Sequence, residues 1–242
     1  MSPPDPVVDL RHVRKEFDGR SVLDGIDLSV EAGRFVSILG PSGCGKSTLF
    51  SVIAGLDRAD TGSVDAPPCA YMPQKDLLFP WRTVLANTAL GLEVQGVPAA
   101  RARQTANDLF PAFGLDGFQD ARPAALSGGM RQRAALLRTV VQGREVVLLD
   151  EPFGALDSIT RSAMQDWLED VWQRYRWTVL MITHDVREAV HLSDRVVVLS
   201  PRPARVVDDV AVTLPRPRGA DRVTTPEFAE YERRLLASLR TS

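Results

Sequence analysis

The residues best suited to chemistry lie in Gly40-Pro41-Ser42-Gly43-Cys44-Gly45-Lys46-Ser47-Thr48, a GxxxxGK[ST] run. It follows an apolar stretch over 35–39 and opens a helical pattern at Ser47. Glycines there let successive amide N–H groups turn inward on phosphate oxygens, and the helix start adds the positive end of its dipole. Lys46 supplies a mobile charge for the β and γ phosphates, and the Ser47 hydroxyl is placed to ligate Mg²⁺. Cys44, inside the loop, reads as a small residue packed beneath it rather than as a redox thiol. A second run, Val146-Val147-Leu148-Leu149-Asp150-Glu151, ends a buried strand in two acids, at the end where an α/β sheet delivers side chains to its ligand crevice. Asp150 suits Mg²⁺ through water, and Glu151 would polarise or deprotonate an attacking water beside the γ phosphate. No asparagine-lysine-x-aspartate segment for reading guanine occurs in the chain.

Elements able to position these groups are legible in the apolar periodicity. Strand patterns fall at 7–13, 26–30, 35–39, 146–149, 179–182 and 196–199, and helical patterns at 47–56, 99–113, 129–141, 162–175 and 186–192. The alternation implies a mainly parallel sheet with helices on both faces. Strand signals are dense before residue 72 and after 145, whereas 84–141 reads as an inserted helical subdomain. The expected organisation is one domain, 1–242, with a catalytic core at 1–83 and 142–205, the helical subdomain at 84–141, and a C-terminal extension and amphipathic helix at 206–242. Thr225-Pro226-Glu227 opens that last helix.

Composition narrows the function. The 242 residues carry a net charge of −2, which gives no electrostatic basis for wrapping nucleic acid. No apolar run approaches the roughly 18 residues of a membrane span. Met1-Ser2-Pro3-Pro4-Asp5 lacks the basic end and apolar centre of a signal peptide, and two cysteines build no disulfide framework, so a reducing cytoplasm is expected.

Leu126-Ser127-Gly128-Gly129-Met130-Arg131-Gln132-Arg133, ahead of the acidic strand, resembles the signature sequence of ATP-binding-cassette (ABC) ATPases. A hydroxyl and two glycine amides at a helix start form a second anion-binding end, compatible with that role. Further elements follow in the family's order from Val7 to about Val207. Gln74 looks like the glutamine that reaches Mg²⁺ and the attacking water. Gly154-Ala155-Leu156-Asp157 is similar to the segment that runs across the dimer interface, and His184 looks like the switch histidine on the γ phosphate. Phe17 stands where the family puts an aromatic ring under adenine, although a core role is an equally simple account of an aromatic at a strand end.

The resemblance implies a P-loop, RecA-like α/β core with an antiparallel β portion near the N-terminus. It implies ATP and Mg²⁺ as ligands and a head-to-tail dimer, in which Ser127, Gly128 and Gly129 of one copy close on the γ phosphate held by Lys46 of the other. Lys46 and Ser127 are close in sequence, with no long coiled coil between them, and no membrane helices are fused. A separate importer subunit is therefore expected, peripheral on the cytoplasmic face of the membrane. Gln74-Lys75-Asp76-Leu77-Leu78-Phe79-Pro80-Trp81-Arg82, Ser200-Pro201-Arg202-Pro203 and Leu214-Pro215-Arg216-Pro217 look like the nitrate, sulfonate and taurine uptake group. Importers of thiamine-pyrimidine precursors share much of this, and a soluble non-transport ABC ATPase is a further alternative. Phe79, Pro80 and Trp81 are expected to meet an integral-membrane permease, in a transporter that also holds a solute-binding receptor.

Overall fold

The computed structural model describes residues 5–219 and 223–241. The first four residues, read above for a targeting signal, lie outside these, as do 220–222 and 242 of the expected C-terminal extension. In chain order the elements are β1 (Val8–Phe17), β2 (Arg20–Val30), β3 (Phe35–Leu39), α1 (Lys46–Ile53), β4 (Thr61–Asp65), β5 (Ala70–Met72), α2 (Val84–Thr88), α3 (Leu90–Val94) and α4 (Ala99–Leu109). They continue with α5 (Gly128–Val140), β6 (Val146–Asp150), α6 (Ser158–Tyr175), β7 (Thr178–Thr183), α7 (Val186–Leu192), β8 (Arg195–Leu199), β9 (Val206–Ala211) and α8 (Pro226–Thr241). Among the described residues no helix is long and apolar enough to cross a membrane.

Two sheets form, a three-stranded one ordered β2-β1-β4 and a six-stranded one ordered β5-β6-β7-β3-β8-β9. The first is antiparallel; the second is parallel except for β9, which runs antiparallel to β8. The expected α/β fold, with a mainly parallel sheet and an antiparallel β portion near the N-terminus, is the observed one. Alternation explains how both faces of the large sheet are filled. Val36, Ile38, Val146, Leu148, Leu180 and Ile182 face a core shared with β1, β2 and α1. Phe35, Val147, Leu149, Val179 and Met181 face the opposite core, shared with α4, α5 and α6.

Several boundaries differ from expectation for local reasons. The first strand runs on to Phe17 because Asp18 and Gly19, both at positive φ (49° and 72°), make a two-residue turn that pairs Phe17 with Arg20. Helix α4 stops at Leu109, two residues before Pro111, where 99–113 was expected to be continuous. Helix α6 starts four residues earlier than predicted because Asp157 caps it. A boundary at 205 cuts the β8–β9 hairpin, so the large sheet extends into the segment read as a C-terminal extension. Leu214-Pro215-Arg216-Pro217 straps that extension to the core. Arg216 donates to Glu169 Oε1 at 2.9 Å and Asp194 Oδ1 at 3.0 Å, with its guanidinium 4.3 Å from the Trp172 ring centroid.

Candidate active site

The carboxyl ends of three neighbouring strands, β3, β7 and β6, deliver the phosphate loop, His184 and the Asp150-Glu151 pair to one edge of the large sheet. The loop between β3 and α1 needs its glycines. Gly45 has φ 125°, and a Cβ there would stand 3.0 Å from Val22 Cγ1 and 3.2 Å from Leu23 Cδ2. Cys44 is buried in the core beneath the loop, as a packing residue would be. Lys46 is buried, and its ammonium donates to Gly40 O at 2.7 Å and Pro41 O at 2.9 Å. Ser47 follows at the first turn of α1, close enough to Asp150 to favour its charged form.

Asp150 is buried and also accepts from Tyr71 Oη at 3.1 Å. Burial, with a smaller push from Glu151, holds its carboxyl above the usual range against the hydrogen bonds of Ser47 and Tyr71 and the charge of Lys46. Tyr71 is raised in turn, by burial first and by Asp150 second. A raised native pKa gives stability that is full below the unfolded value of about 3.9 and is lost as pH climbs through the native one. Asp150→Asn should therefore raise the apoprotein's melting temperature at neutral pH by about 2–4 °C for each kcal/mol relieved. The gain should shrink toward pH 4 while ATP hydrolysis is lost; an apoprotein melting lower at pH 7 would contradict this account.

Glu151, next along, sits at φ 45°, a left-handed conformation sparsely populated by residues with a Cβ. Its N–H donates to Ile182 O at 3.0 Å, and its carbonyl accepts from Gly154 N at 3.1 Å. The turn aims its carboxylate at two other predicted residues. Gln74 Nε2 donates to Glu151 Oε2 at 3.0 Å, and His184 Nδ1 lies 3.4 Å from that same oxygen. Two separate chain segments thus converge on one carboxylate oxygen of a third.

Phe17 is 46% exposed rather than core, with the Lys15 ammonium 5.0 Å from its ring centroid. Lys15 is held by Arg58 O at 2.9 Å, Asp57 at 3.1 Å and Asp60 at 3.3 Å. Ser127 caps α5, its hydroxyl accepting from Met130 N at 3.2 Å. Gly129 packs where a Cβ would come 2.9 Å from Thr160 Cγ2. Among the described residues no hydrogen bond or ion pair joins 127–129 to the phosphate loop of the same chain. The Asp157 carboxylate is engaged by the cap of α6, accepting from Ile159 N at 3.1 Å, Thr160 N at 3.0 Å and Thr160 Oγ1 at 2.7 Å. Phe79 is half-buried against Trp81, their ring centroids 5.1 Å apart, while Trp81 is 68% and Leu77 58% exposed. The expected apolar face is therefore carried by Leu77 and Trp81 more than by Phe79.

Sequence reasoning missed Tyr71, although its place one strand away from Asp150 follows from the parallel pairing of Tyr71 with Leu148. It also missed Arg202, which donates to Gly43 O in the phosphate loop at 2.9 Å. The group-specific Ser200-Pro201-Arg202-Pro203 run was its only signal.

A protein-family model described as ABC transporter matches residues 23–154. An uncharacterized ABC transporter ATP-binding protein of Methanocaldococcus jannaschii is 45% identical over 236 residues, covering 93% of this chain and 87% of its own. An aliphatic sulfonates import ATP-binding protein of Rhodopseudomonas palustris is 46% identical over 237 residues, covering 95% of this chain and 82% of its own. Among solved structures, a dimeric ABC transporter cassette aligns with a TM-score of 0.73 at 27% identity, covering 86% of this chain and 99% of its own. The same cassette in a post-hydrolysis state bound to ADP and Pi aligns equally well.

Proposed function

This chain belongs to the ABC transporter family, and on that premise we propose how it works as an importer's ATPase: two copies close head to tail around two ATP and drive a separate permease between its two facing states. The convergence of Gln74 and His184 on Glu151 Oε2, beside the phosphate loop, is the observation that carries the hydrolytic reading. Lys46 and the loop amides grip the β and γ phosphates. Glu151 orients and polarises the attacking water, accepting its proton as the water oxygen bonds to the γ phosphorus and the bond from that phosphorus to the β–γ bridging oxygen breaks, releasing ADP and phosphate. His184 contacts the γ phosphate, and Phe17 offers its exposed ring to adenine. The 127–129 turn of the second copy supplies the remaining donors, consistent with an α5 start that finds no phosphate loop in its own chain.

Ser47 hydroxyl, Asp150 carboxylate and Gln74 amide oxygen are hard donors, and so small a protein share suits Mg²⁺, which takes most of its shell from phosphates and water. When bound, Mg²⁺ neutralises charge developing on the transferred phosphoryl group. Asp150 ends β6 and Ser47 lies in the first turn of α1, so the pair is brought to one edge of the sheet by the fold.

The cargo is proposed to be a small solute of the nitrate, sulfonate and taurine class, delivered by a solute-binding receptor. Support comes from the near full-length likeness to sulfonate importers. The subunit lies on the cytoplasmic face of the membrane, where Leu77 and Trp81, rimmed by Lys75, Asp76 and Arg82, take an apolar element of the permease. Cells lacking this chain should fail to grow on an alkanesulfonate as sole sulfur source and recover with the parental gene. Leu77→Ala combined with Trp81→Ala should cut uptake of labelled sulfonate at least about tenfold while the purified protein keeps its ATPase rate. Full uptake by that variant would remove the coupling assignment, and growth without the parental gene would remove the cargo.

A further inference from the structure

Thr183 and Asp185 flank His184, and both are pinned by groups that the chemistry above leaves unused. The Thr183 hydroxyl donates to Glu188 Oε2 at 2.6 Å and accepts from Asp185 N–H at 3.0 Å. The His184 ring is 59% exposed and, among the described residues, Glu151 is its one ion-pair partner, so its backbone sets where it stands. Glu188 is buried, and burial raises its carboxyl above the ordinary range. Its second oxygen accepts from Gln165 Nε2 at 3.1 Å and lies 3.8 Å from Arg161 Nε, beyond hydrogen-bonding distance. Arg161 Nε is buried without a hydrogen-bond partner. The same guanidinium donates through Nη2 to Leu156 O at 3.1 Å, inside the 154–157 segment.

A continuous path therefore runs from Leu156 through Arg161, Glu188 and Thr183 to His184, with one gap. The gap lies between a buried donor lacking an acceptor and a buried carboxylate on the next helix, and a shift of less than an ångström would close it. We propose that Arg161 and Glu188 are positioning residues that report the state of residues 154–157 to His184: when a second copy engages that segment, Arg161 closes on Glu188, and Thr183 carries the movement to the histidine. This rests on the reading of His184 as the γ-phosphate contact. Glu188, buried and bonded to Thr183, acts by fixing the backbone on either side of His184.

A kinetic split tests the proposal on the full chain with Mg-ATP. Glu188→Gln and Arg161→Met should each lower kcat at least about tenfold while KM and nucleotide affinity stay within about twofold. The double variant should be no slower than the slower single one, and Glu188→Gln should cost nothing further in a His184→Ala background. Thr183→Val should reproduce the loss and Thr183→Ser keep most of the rate, which decides the matter should Glu188→Gln fail to fold. If His184→Ala turns over at the parental rate, the histidine reading fails and takes this proposal with it. If His184→Ala is inactive while Glu188→Gln, Arg161→Met and Thr183→Val are not, this proposal alone is overturned. Losses that multiply in the double variant, or that move KM with kcat, overturn it as well.

Discussion

Glu151→Gln is expected to bind Mg-ATP with parental affinity and to turn it over about 10²–10⁴-fold more slowly, the range a positioned general base contributes. The substitution is close to isosteric. Gln74 Nε2 can still donate to the amide oxygen that replaces Glu151 Oε2, and the φ of 45° is held by backbone bonds to Ile182 O and Gly154 N that the side chain does not make. Geometry therefore survives while basicity goes. With hydrolysis blocked and phosphate grip intact, nucleotide should accumulate between two copies if, as proposed, the 127–129 turn of each closes on the other's γ phosphate. Sedimentation with and without Mg-ATP reads this directly: a dimer with nucleotide and a monomer without. Parental turnover would reject the base assignment, and a variant that stays monomeric with saturating ATP would reject the shared site.

The parts of this arrangement that the residues announced are those fixed by short-range rules. The two-faced filling of β3, β6 and β7 is a period-two pattern, so Val146 and Leu148 part from Val147 and Leu149 in the cores as they do along the chain. The phosphate loop is legible because one backbone path serves its glycines, and Asp150-Glu151 because a strand end points at the crevice. The roles of Gln74, His184, Phe17 and the 127–129 turn came from family resemblance, not from spacing. Side-chain meetings between distant segments were not legible. Tyr71 bonds Asp150 across paired strands, Lys15 lies under Phe17 because β1 meets the 57–60 turn, and Glu188 bonds Thr183 because α7 folds back on β7. Each depends on register, which local pattern leaves open until the sheet order is known. Strand β9 escaped for another reason: its Asp208 and Asp209 break the apolar run, yet they pair with Arg234 and Arg195 in the folded chain.

Lys46→Ala should lose nucleotide binding itself rather than turnover alone. The ammonium is buried, and in the folded chain it is held by two carbonyls of its own loop, Gly40 O and Pro41 O. Those carbonyls set the sign of the outcome. They are dipoles whose negative ends face the ammonium, and with the lysine removed only the loop amides and the α1 dipole are left to offset them. Removing one partner of a buried, hydrogen-bonded charge pair costs about 2–5 kcal/mol, so ATP affinity should fall on the order of 10²-fold or more. Stability should change less, because removing the ammonium relieves the cost of burying a charge while giving up its bonds to the buried Gly40 O and the half-buried Pro41 O. Calorimetric titration with ATP, set beside a thermal melt of the same sample, separates the two effects. Loss of affinity with a near-parental melt is the expected pair of results. Full affinity would mean that the amides of the loop and the α1 dipole carry the phosphates without the lysine, and the assignment of Lys46 to the β and γ phosphates would fall.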